Sequence, residues 1–296
     1  MSSSNPLINE HKEVSLRDPV LIVAFRGWND AGDAASFAAT HLTRVWGAER
    51  FSSIDHEEFY DFQAVRPQVQ LIDGLTRKIT WPANEFWAAQ PTGAPRDVIL
   101  MVGTEPNLRW RTFSQLVIEV ARRHEVSLAI TFGALLADVA HSQPVHITGT
   151  AVKSELVERL HLRRSRYEGP TGIVGVLQDA FGAAGIDSAS LWAAVPHYLA
   201  VSPNPKAALA LVRKAADLIE IEADVSGLES ATESYERRVS EIVASDEDVQ
   251  AYVRLLEERS AEREIEEMDP SNLPSGDALA AELESFLRDR DGDSDD

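Results

Sequence analysis

Polar side chains follow four apolar runs of this sequence, at points where strands of a sheet would end. Such runs are typical of strands buried on both faces, and open α/β sheets bind ligands beyond the carboxyl ends of these strands. The candidate ligand-binding residues found there and in one glycine-rich loop are Arg26, Asn29, Asp30, Glu105, Arg109, Asp138, His141, Tyr167, Glu168 and His197. Because parallel strands end at one edge of a sheet, we expect Asn29, Glu105 and Asp138 to lie around one cleft.

The turn "RGWNDAGD", residues 26–33, has two interpretations. In the first, Asp30 or Asp33 caps the next helix, while Gly27 and Gly32 only permit the turn and close packing. In the second, the same polar groups line a ligand. The residues alone leave both open, with capping and packing slightly favoured.

Two further strand ends carry charged pairs. Glu105 and Arg109, in "VGTEPNLRW", either form an ion pair or meet a polar ligand, and a plain loop with a salt bridge is favoured. Asp138 and His141 are three residues apart, so on a helical turn they would share a face and could act as an acid–base pair. A structural contact is the commoner role of such a pair.

The glycine-rich stretch "SRYEGPTGIVGV", residues 165–176, precedes a predicted helix. The amino end of a helix attracts anions, so an anion is physically sensible there. The stretch nevertheless lacks the Lys-Ser/Thr of a P-loop, and its G-x-x-G-x-x-G spacing differs from the dinucleotide fingerprint. The pattern therefore names no phosphate ligand.

Several chemistries have no support in the sequence. It contains no cysteine, which excludes thiol nucleophiles, disulfides and thiolate metal sites. The eight histidines are scattered without metal-ligand spacing, and neither a G-x-S-x-G elbow nor an H-E-x-x-H pair occurs. We therefore expect no metal and no cofactor, and no catalytic residue can be named.

The elements that position these residues alternate between strand and helix, which predicts an α/β protein. Strands are predicted at 19–25, 50–55, 97–103, 127–133, 144–151 and 189–196. Residues 67–82 form two partly alternating runs around Asp73-Gly74, the signal of a β-hairpin inserted beside the main sheet. Isolated ribbons are marginal alone, so we expect a partner to cover its apolar residues Val69, Leu71, Ile79 and Trp81.

The charge of the chain is uneven. The net charge is −20 over 296 residues, and residues 222–296 hold 24 acidic and 7 basic residues of that total. The sequence thus predicts a near-neutral core domain over 1–224, an acidic helical region over 225–289 and a disordered tail over 290–296. Apolar positions at helical spacing predict that the acidic helices pack on the core as a lid. The acidic surface argues against nucleic-acid binding, and without a signal peptide or membrane span a cytoplasmic location is expected.

Five motifs in order, spread over roughly residues 18–220, resemble the actinobacterial branch of the proteasome assembly chaperone 2 family. They are "LIVAFRGWNDAGDAA", "VGTEPNLRW", "TFGALLADVAHSQPV", "YEGPTGIVGVL" and "LWAAVPHYLA". The resemblance implies a three-layer α/β/α sandwich of the phosphorylase/hydrolase-like type, with a hairpin used in oligomerisation, commonly a trimer. It also implies a helical C-terminal region over the strand ends. Family members in eukaryotes and archaea assist assembly of the proteasome core particle.

Two functions follow from these observations. The first is an assembly-chaperone-like interaction protein, possible clients being proteasome subunits, and the family resemblance favours it. The alternative is a hydrolase, a nucleoside-phosphorylase-like enzyme or a small-ligand binder that uses the strand-end cleft. A pocket where Asn29, Glu105, Asp138 and His141 converge would favour the alternative.

Overall fold

The computed structural model describes residues 5–151, 153–159, 162, 168–199 and 201–263. The strands are β1 Ile8–Glu10, β2 Val20–Arg26, β3 Glu49–Ile54, β4 Gln68–Ile72, β5 Thr76–Thr80, β6 Asn84–Ala89, β7 Val98–Thr104, β8 Leu128–Ala137, β9 Ile147–Ala151 and β10 Asp187–Pro196. The helices are α1 Ala34–Val45, α2 Trp110–Arg123, α3 Ser154–Arg159, α4 Ile173–Ala184, α5 Pro205–Ile219, α6 Ser226–Ala244 and α7 Glu247–Arg263.

Eight strands form one mixed sheet in the order β1-β3-β6-β7-β2-β8-β10-β9. The central strands β7, β2, β8 and β10 are mutually parallel, whereas β1, β3 and β6 add an antiparallel end and β9 closes the other edge. The central strands are the apolar runs predicted from the sequence, and they are buried because helices cover both faces.

Alternating side chains of the central strands supply two apolar cores. Val20, Ile22 and Ala24 of β2 face a core shared with α1 and α5, whereas Leu21, Val23 and Phe25 face one shared with α2 and α4. The three-layer α/β/α arrangement expected from the sequence is therefore the observed fold. In the described residues, every helix is too short or too polar to cross a membrane.

Two elements lie outside this sandwich. The hairpin of β4 and β5 forms a separate two-stranded sheet, with Asp73 and Gly74 at positive φ in its turn. Helices α6 and α7 continue from α5, and α6 packs along α5. The predicted helix over 277–289 and the predicted tail over 290–296 lie outside the described residues.

The sequence missed strands β1 and β6. β1 is only three residues long, which is too short to show alternation. β6, "NEFWAA", begins two residues after Pro82, where the hairpin insertion was predicted to end. Its polar first residues, Asn84 and Glu85, hid a strand that fills the gap between β3 and β7.

Candidate functional site

Glu105 joins three loops at the carboxyl edge of the sheet. Its backbone N–H donates to the carbonyl of Arg26 at 2.8 Å, which places it beside the end of β2. Its Oε1 accepts from Nδ2 of Asn29 at 3.2 Å and from the N–H of Ile173 at 2.9 Å. Its Oε2 accepts from the N–H of Trp28 at 3.2 Å. Both oxygens of the carboxylate are thus bonded to groups of the chain itself.

The glycine-rich loop brings the amino end of α4 to this carboxylate. A Cβ on Gly172 would lie 2.1 Å from Nδ2 of Asn29 and 2.7 Å from Oε1 of Glu105, so a larger residue would displace the ends of these two side chains. The N–H of Ile173 then points at a negative charge, which the helix dipole favours. The anion that the sequence suggested for this helix end is therefore a carboxylate of the protein.

Asp30 is buried at the start of α1. Its Oδ1 accepts from the N–H groups of Ala35 at 2.7 Å and Ser36 at 3.2 Å, and its Oδ2 accepts from the Ser36 hydroxyl at 2.5 Å. Burial raises the pKa of the Asp30 carboxyl, and the hydrogen bonds from Ser36 and Ala35 oppose that rise. Asp30 thus accepts from two backbone donors in the first turn of α1, although the N-cap position itself is held by Asp33, whose side chain makes no capping bond.

The two arginines of this edge face outwards. The Arg109 guanidinium forms an ion pair with Glu58 and lies 5.9 Å from the ring centre of Phe59. Among the described residues Arg109 thus pairs with Glu58, and the ion pair with Glu105 that the sequence suggested is not formed. Glu105 instead accepts hydrogen bonds from Trp28, Asn29 and Ile173. Arg26 and Glu168 are exposed, and Tyr167 lies outside the described residues.

A second polar group forms beyond β8 and β10, whose last paired residues are Ala137 and Pro196. Nε2 of His197 lies 3.0 Å from Oδ1 of Asp138 and 2.9 Å from the hydroxyl of Tyr252, which also donates to that oxygen at 3.2 Å. Tyr252 belongs to α7 and is fully buried. This triangle therefore attaches α7 to the strand ends.

His141 makes a similar attachment for α6. Its Nδ1 lies 2.9 Å from the hydroxyl of Tyr198, which also accepts from its backbone N–H at 2.8 Å, and its Nε2 lies 3.5 Å from the hydroxyl of Ser240 on α6. Lys206 donates to the His141 carbonyl at 2.7 Å and pairs with Glu236 of α6, also at 2.7 Å. Burial lowers the pKa of His141, and the charge of Lys206 lowers it further.

Apolar contacts complete the attachment of α6 and α7. Residues of both helices pack with residues that follow β8 and β10 in one buried cluster: Ala140, Leu199, Tyr235, Val239, Val243, Tyr252, Val253 and Leu256. The acidic helices thus cover the ends of β8 and β10 with a one-sided apolar contact.

The predicted site residues therefore fall into two contact groups. Asn29 bonds Glu105, and its carbonyl accepts from the N–H of Ala134 at 2.8 Å. Asp138 lies four residues beyond Ala134, so about 13 Å of extended chain separates it from the Asn29–Glu105 group. Asp138 bonds Tyr252 of α7, whereas His141 bonds Tyr198. That all of these residues line one ligand cleft stays a prediction.

Other residues of these groups were outside the predicted site. Tyr198 follows His197 directly, so the strand-end rule could have included it. Ser240 belongs to α6 and Tyr252 to α7, and no local pattern assigns a helix residue to a distant strand end. Trp28, in the first turn, is 66% exposed although its backbone is fixed by Glu105.

The hairpin leaves apolar side chains in solvent. Val69 is 61% and Leu71 is 62% exposed, Ile79 lies opposite Val69 in the register, and all three share one face. Trp81 is 41% exposed, and its ring stacks on His56 with 5.4 Å between centroids. The predicted interface residues are thus exposed or half-exposed in the single chain, while their role in oligomer contact stays a prediction.

The described residues contain no group of three or more histidine, aspartate and glutamate side chains arranged to hold a metal ion. The carboxyl edge instead shows polar groups that link loops and helices, and the hairpin shows apolar groups without cover.

Comparison with known proteins places the chain in a family. The sequence model of the PAC2 family matches residues 24–243. A PAC2 family protein from Streptomyces avermitilis is 44% identical with a TM-score of 0.74, and the match covers 80% of this chain and all of that one. A proteasome-assembly chaperone homologue from Mycobacterium tuberculosis is also 44% identical, with a TM-score of 0.73 and coverage of 79% and 99%.

An archaeal proteasome activator from Pyrococcus furiosus, PbaB, shares the fold at 18% identity, with a TM-score of 0.65 and coverage of 79% and 97%. No curated protein matched the chain. The α/β/α sandwich of this chain is the fold shared by these matches. This chain belongs to the PAC2 family.

Proposed function

We propose that this protein is an assembly-chaperone-like interaction protein that acts on proteasome subunits as a homo-oligomer, with a trimer favoured. The observation that carries the proposal is the exposed apolar face of the hairpin, Val69, Leu71 and Ile79. Clustered exposed apolar side chains favour contact with protein. The proteasome link is supported by the 44% identical relative from Mycobacterium tuberculosis, a proteasome-assembly chaperone homologue.

The hydrogen bonds of the polar groups at the strand ends also support an interaction protein over an enzyme. A catalytic carboxylate must reach the substrate with at least one oxygen. Both oxygens of Glu105 accept hydrogen bonds from the chain, and those of Asp30 bond the first turn of α1. His197 and Asp138 are covered by Tyr252 of α7. These contacts disfavour a hydrolase or phosphorylase-like reaction at this edge.

The test replaces two exposed apolar side chains of the hairpin and leaves the α/β/α sandwich unchanged. In Val69→Ser/Leu71→Ser, both changes lie on one exposed face, so the fold should be kept while self-association is lost. We expect light scattering to give three times the chain mass of 32.6 kDa for the wild type and a single chain for the double variant. Ile242→Ser, at an exposed apolar position of α6, is the matched control and should keep the oligomer.

Client binding is measured separately. The full chain, co-expressed with proteasome subunits of its source organism, should elute with them in size exclusion and should raise the yield of assembled core particle. A chain that oligomerises but neither binds the subunits nor changes that yield would overturn the proteasome part of the proposal. An unchanged mass in the double variant would overturn the role of the hairpin.

A further inference from the structure

A groove of about 510 Å³ separates the hairpin from the antiparallel end of the main sheet. One side is formed by Arg50, Ser53 and Ile54 of β3 together with Glu85 of β6. The other side is formed by consecutive residues from Lys78 to Trp81. The groove shares no side chain with the strand-end groups described above, but it includes Ile79 and Trp81 of the predicted oligomer interface.

The groove runs along the backbone edge of β5. Side chains of a strand alternate between its two faces, yet Lys78, Ile79 and Thr80 all line the groove. This is expected only where the groove follows the edge of the strand. In the described part of the chain β5 pairs with β4 alone, so peptide groups on its other edge are available. Such an edge is a template for an added strand.

The charges along the groove favour a carboxylate. Arg50 and Lys78 are its cations, and His11 and His56 also line it. Its one carboxylate among the described lining residues, Glu85, is bound by Arg50 at 2.5 Å. Lys78 makes no ion pair with any described residue, so its charge is unmatched at the edge of β5.

Apolar groups lie beside these charges. Ile79 and Trp81 line the groove and are 54% and 41% exposed, whereas Ile54 lines it but belongs to the buried core. The Trp81 ring is fixed by stacking on His56 and by an edge contact with Phe62 at 4.9 Å. A ring held in this way presents apolar surface at little entropic cost on binding.

We infer that this groove binds an extended acidic segment of a partner protein, which adds to β5 as a third strand. Alternate residues of the segment would be acidic, toward Lys78, and apolar, against Ile79 and Trp81. A second copy of the hairpin fits less well, because it carries Arg66, Arg77 and Lys78 against a single carboxylate, Asp73. The inference rests on the proposed interaction function and names the chemistry of the segment that is recognised.

The experiment measures fluorescence anisotropy of labelled seven-residue peptides with the full-length protein. An alternating Glu-Val peptide should bind, and the matching Lys-Val peptide should bind about tenfold more weakly or worse. The Glu-Val peptide with alternate amides N-methylated keeps its charge but cannot pair with β5, and it should also lose about tenfold. Equal binding of the three peptides would overturn the inference, as would no binding of the Glu-Val peptide.

Two variants on the same strand locate the site. Lys78→Glu reverses a charge that lines the groove, whereas Arg77→Glu reverses a charge one residue away that does not. We expect about tenfold weaker binding for Lys78→Glu and under about twofold for Arg77→Glu. Equal losses would indicate a general charge effect and overturn the assignment.

Two further measurements test which segment occupies the groove and whether the groove acts independently of the oligomer. A synthetic peptide of residues 277–296 tests the chain itself as the occupant, and tighter binding than the Glu-Val peptide would overturn the assignment to a partner. Light scattering of Lys78→Glu should give the wild-type mass. Lost peptide binding at an unchanged mass supports the groove independently of oligomer contact, whereas lost mass would show that the variant acts through the oligomer and would overturn it.

Discussion

The carboxyl edge of the sheet and the β4–β5 hairpin differ in how their side chains are satisfied. At the edge, the Glu105 carboxylate bonds three loops, and Asp138 and His197 bond Tyr252 of α7. At the hairpin, Val69 and Leu71 are more than half exposed, and no described residue covers them. One region is closed within the chain, and the other is open to a partner.

This difference separates structural polar residues from functional surface. A polar residue after a buried strand meets the geometric condition for a ligand site, but it also meets the condition for bonding a neighbouring loop. A ligand site and a structural link are distinguished only by which groups bond each oxygen and nitrogen. At this edge the bonding groups mostly belong to the chain itself. Substitutions at the edge should therefore reduce stability, and substitutions in the hairpin should reduce association.

The largest expected effect is on Glu105→Ala. The substitution leaves the N–H groups of Trp28 and Ile173 and the amide of Asn29 without their acceptor, and it removes a negative charge from the amino end of α4. We expect the free energy of unfolding in urea to fall by about 2 kcal/mol or more.

Glu105→Gln keeps one acceptor oxygen and should lose about half as much. The hairpin variant Val69→Ser/Leu71→Ser should lose under about 0.5 kcal/mol, because its side chains are exposed. If Glu105→Ala is as stable as the wild type, the hydrogen bonds of Glu105 do not stabilise the fold and the contrast between the two regions is wrong.

Much of the fold could be predicted from the sequence, because its signals are local. The apolar runs of β2, β7, β8 and β10 give the parallel centre, and Asp73-Gly74 gives the hairpin turn. Asn204 and Pro205 give the start of α5, where Oδ1 of Asn204 accepts from the N–H of Ala207 at 3.0 Å. β6 was missed because its place between β3 and β7 is set by the sheet and not by its own alternation.

The candidate site was less predictable, because its contacts are between distant residues. The strand-end rule found Glu105, Asp138 and His197, but it could not show that each is bonded from elsewhere in the chain. Tyr252 reaches Asp138 across 114 residues. Such a partner depends on how α7 packs, which the local pattern does not determine.

A smaller effect is expected from Tyr252→Phe. The hydroxyl bonds both Asp138 and His197 in a buried position, so its loss should lower the free energy of unfolding by about 1 kcal/mol. Hydrogen exchange should speed up in α6 and α7 more than in α4. Tyr235→Phe is the matched control in the same apolar cluster, since no hydrogen bond of the Tyr235 hydroxyl is recorded among the described residues. Equal effects of the two variants would mean that the polar triangle does not hold α7.

The smallest effect concerns pH and the attachment of α6. Burial and the charge of Lys206 lower the pKa of His141 below its ordinary value of 6.5, while Glu257 and Glu236 partly oppose them. The unfolded chain then binds more protons than the folded chain just below pH 6.5, so stability is fully present above that pH and is lost as the pH falls through the folded pKa. Protonation makes both ring nitrogens donors, so Nδ1 then bonds the Tyr198 hydroxyl as a donor, and the charged ring lies buried beside the Lys206 ammonium.

Acidification from pH 7.5 to 5.5 should therefore loosen α6 and α7 before the main sheet. Hydrogen exchange over residues 226–259 should rise relative to that of α4, after correction for the intrinsic dependence of exchange on pH. His141→Asn places a neutral amide near the position of Nδ1 and cannot gain a proton in this range, so its relative exchange should change less between the two pH values. A response of the variant equal to that of the wild type would assign the effect to another group, and the closure of the strand ends by α6 would then not depend on His141.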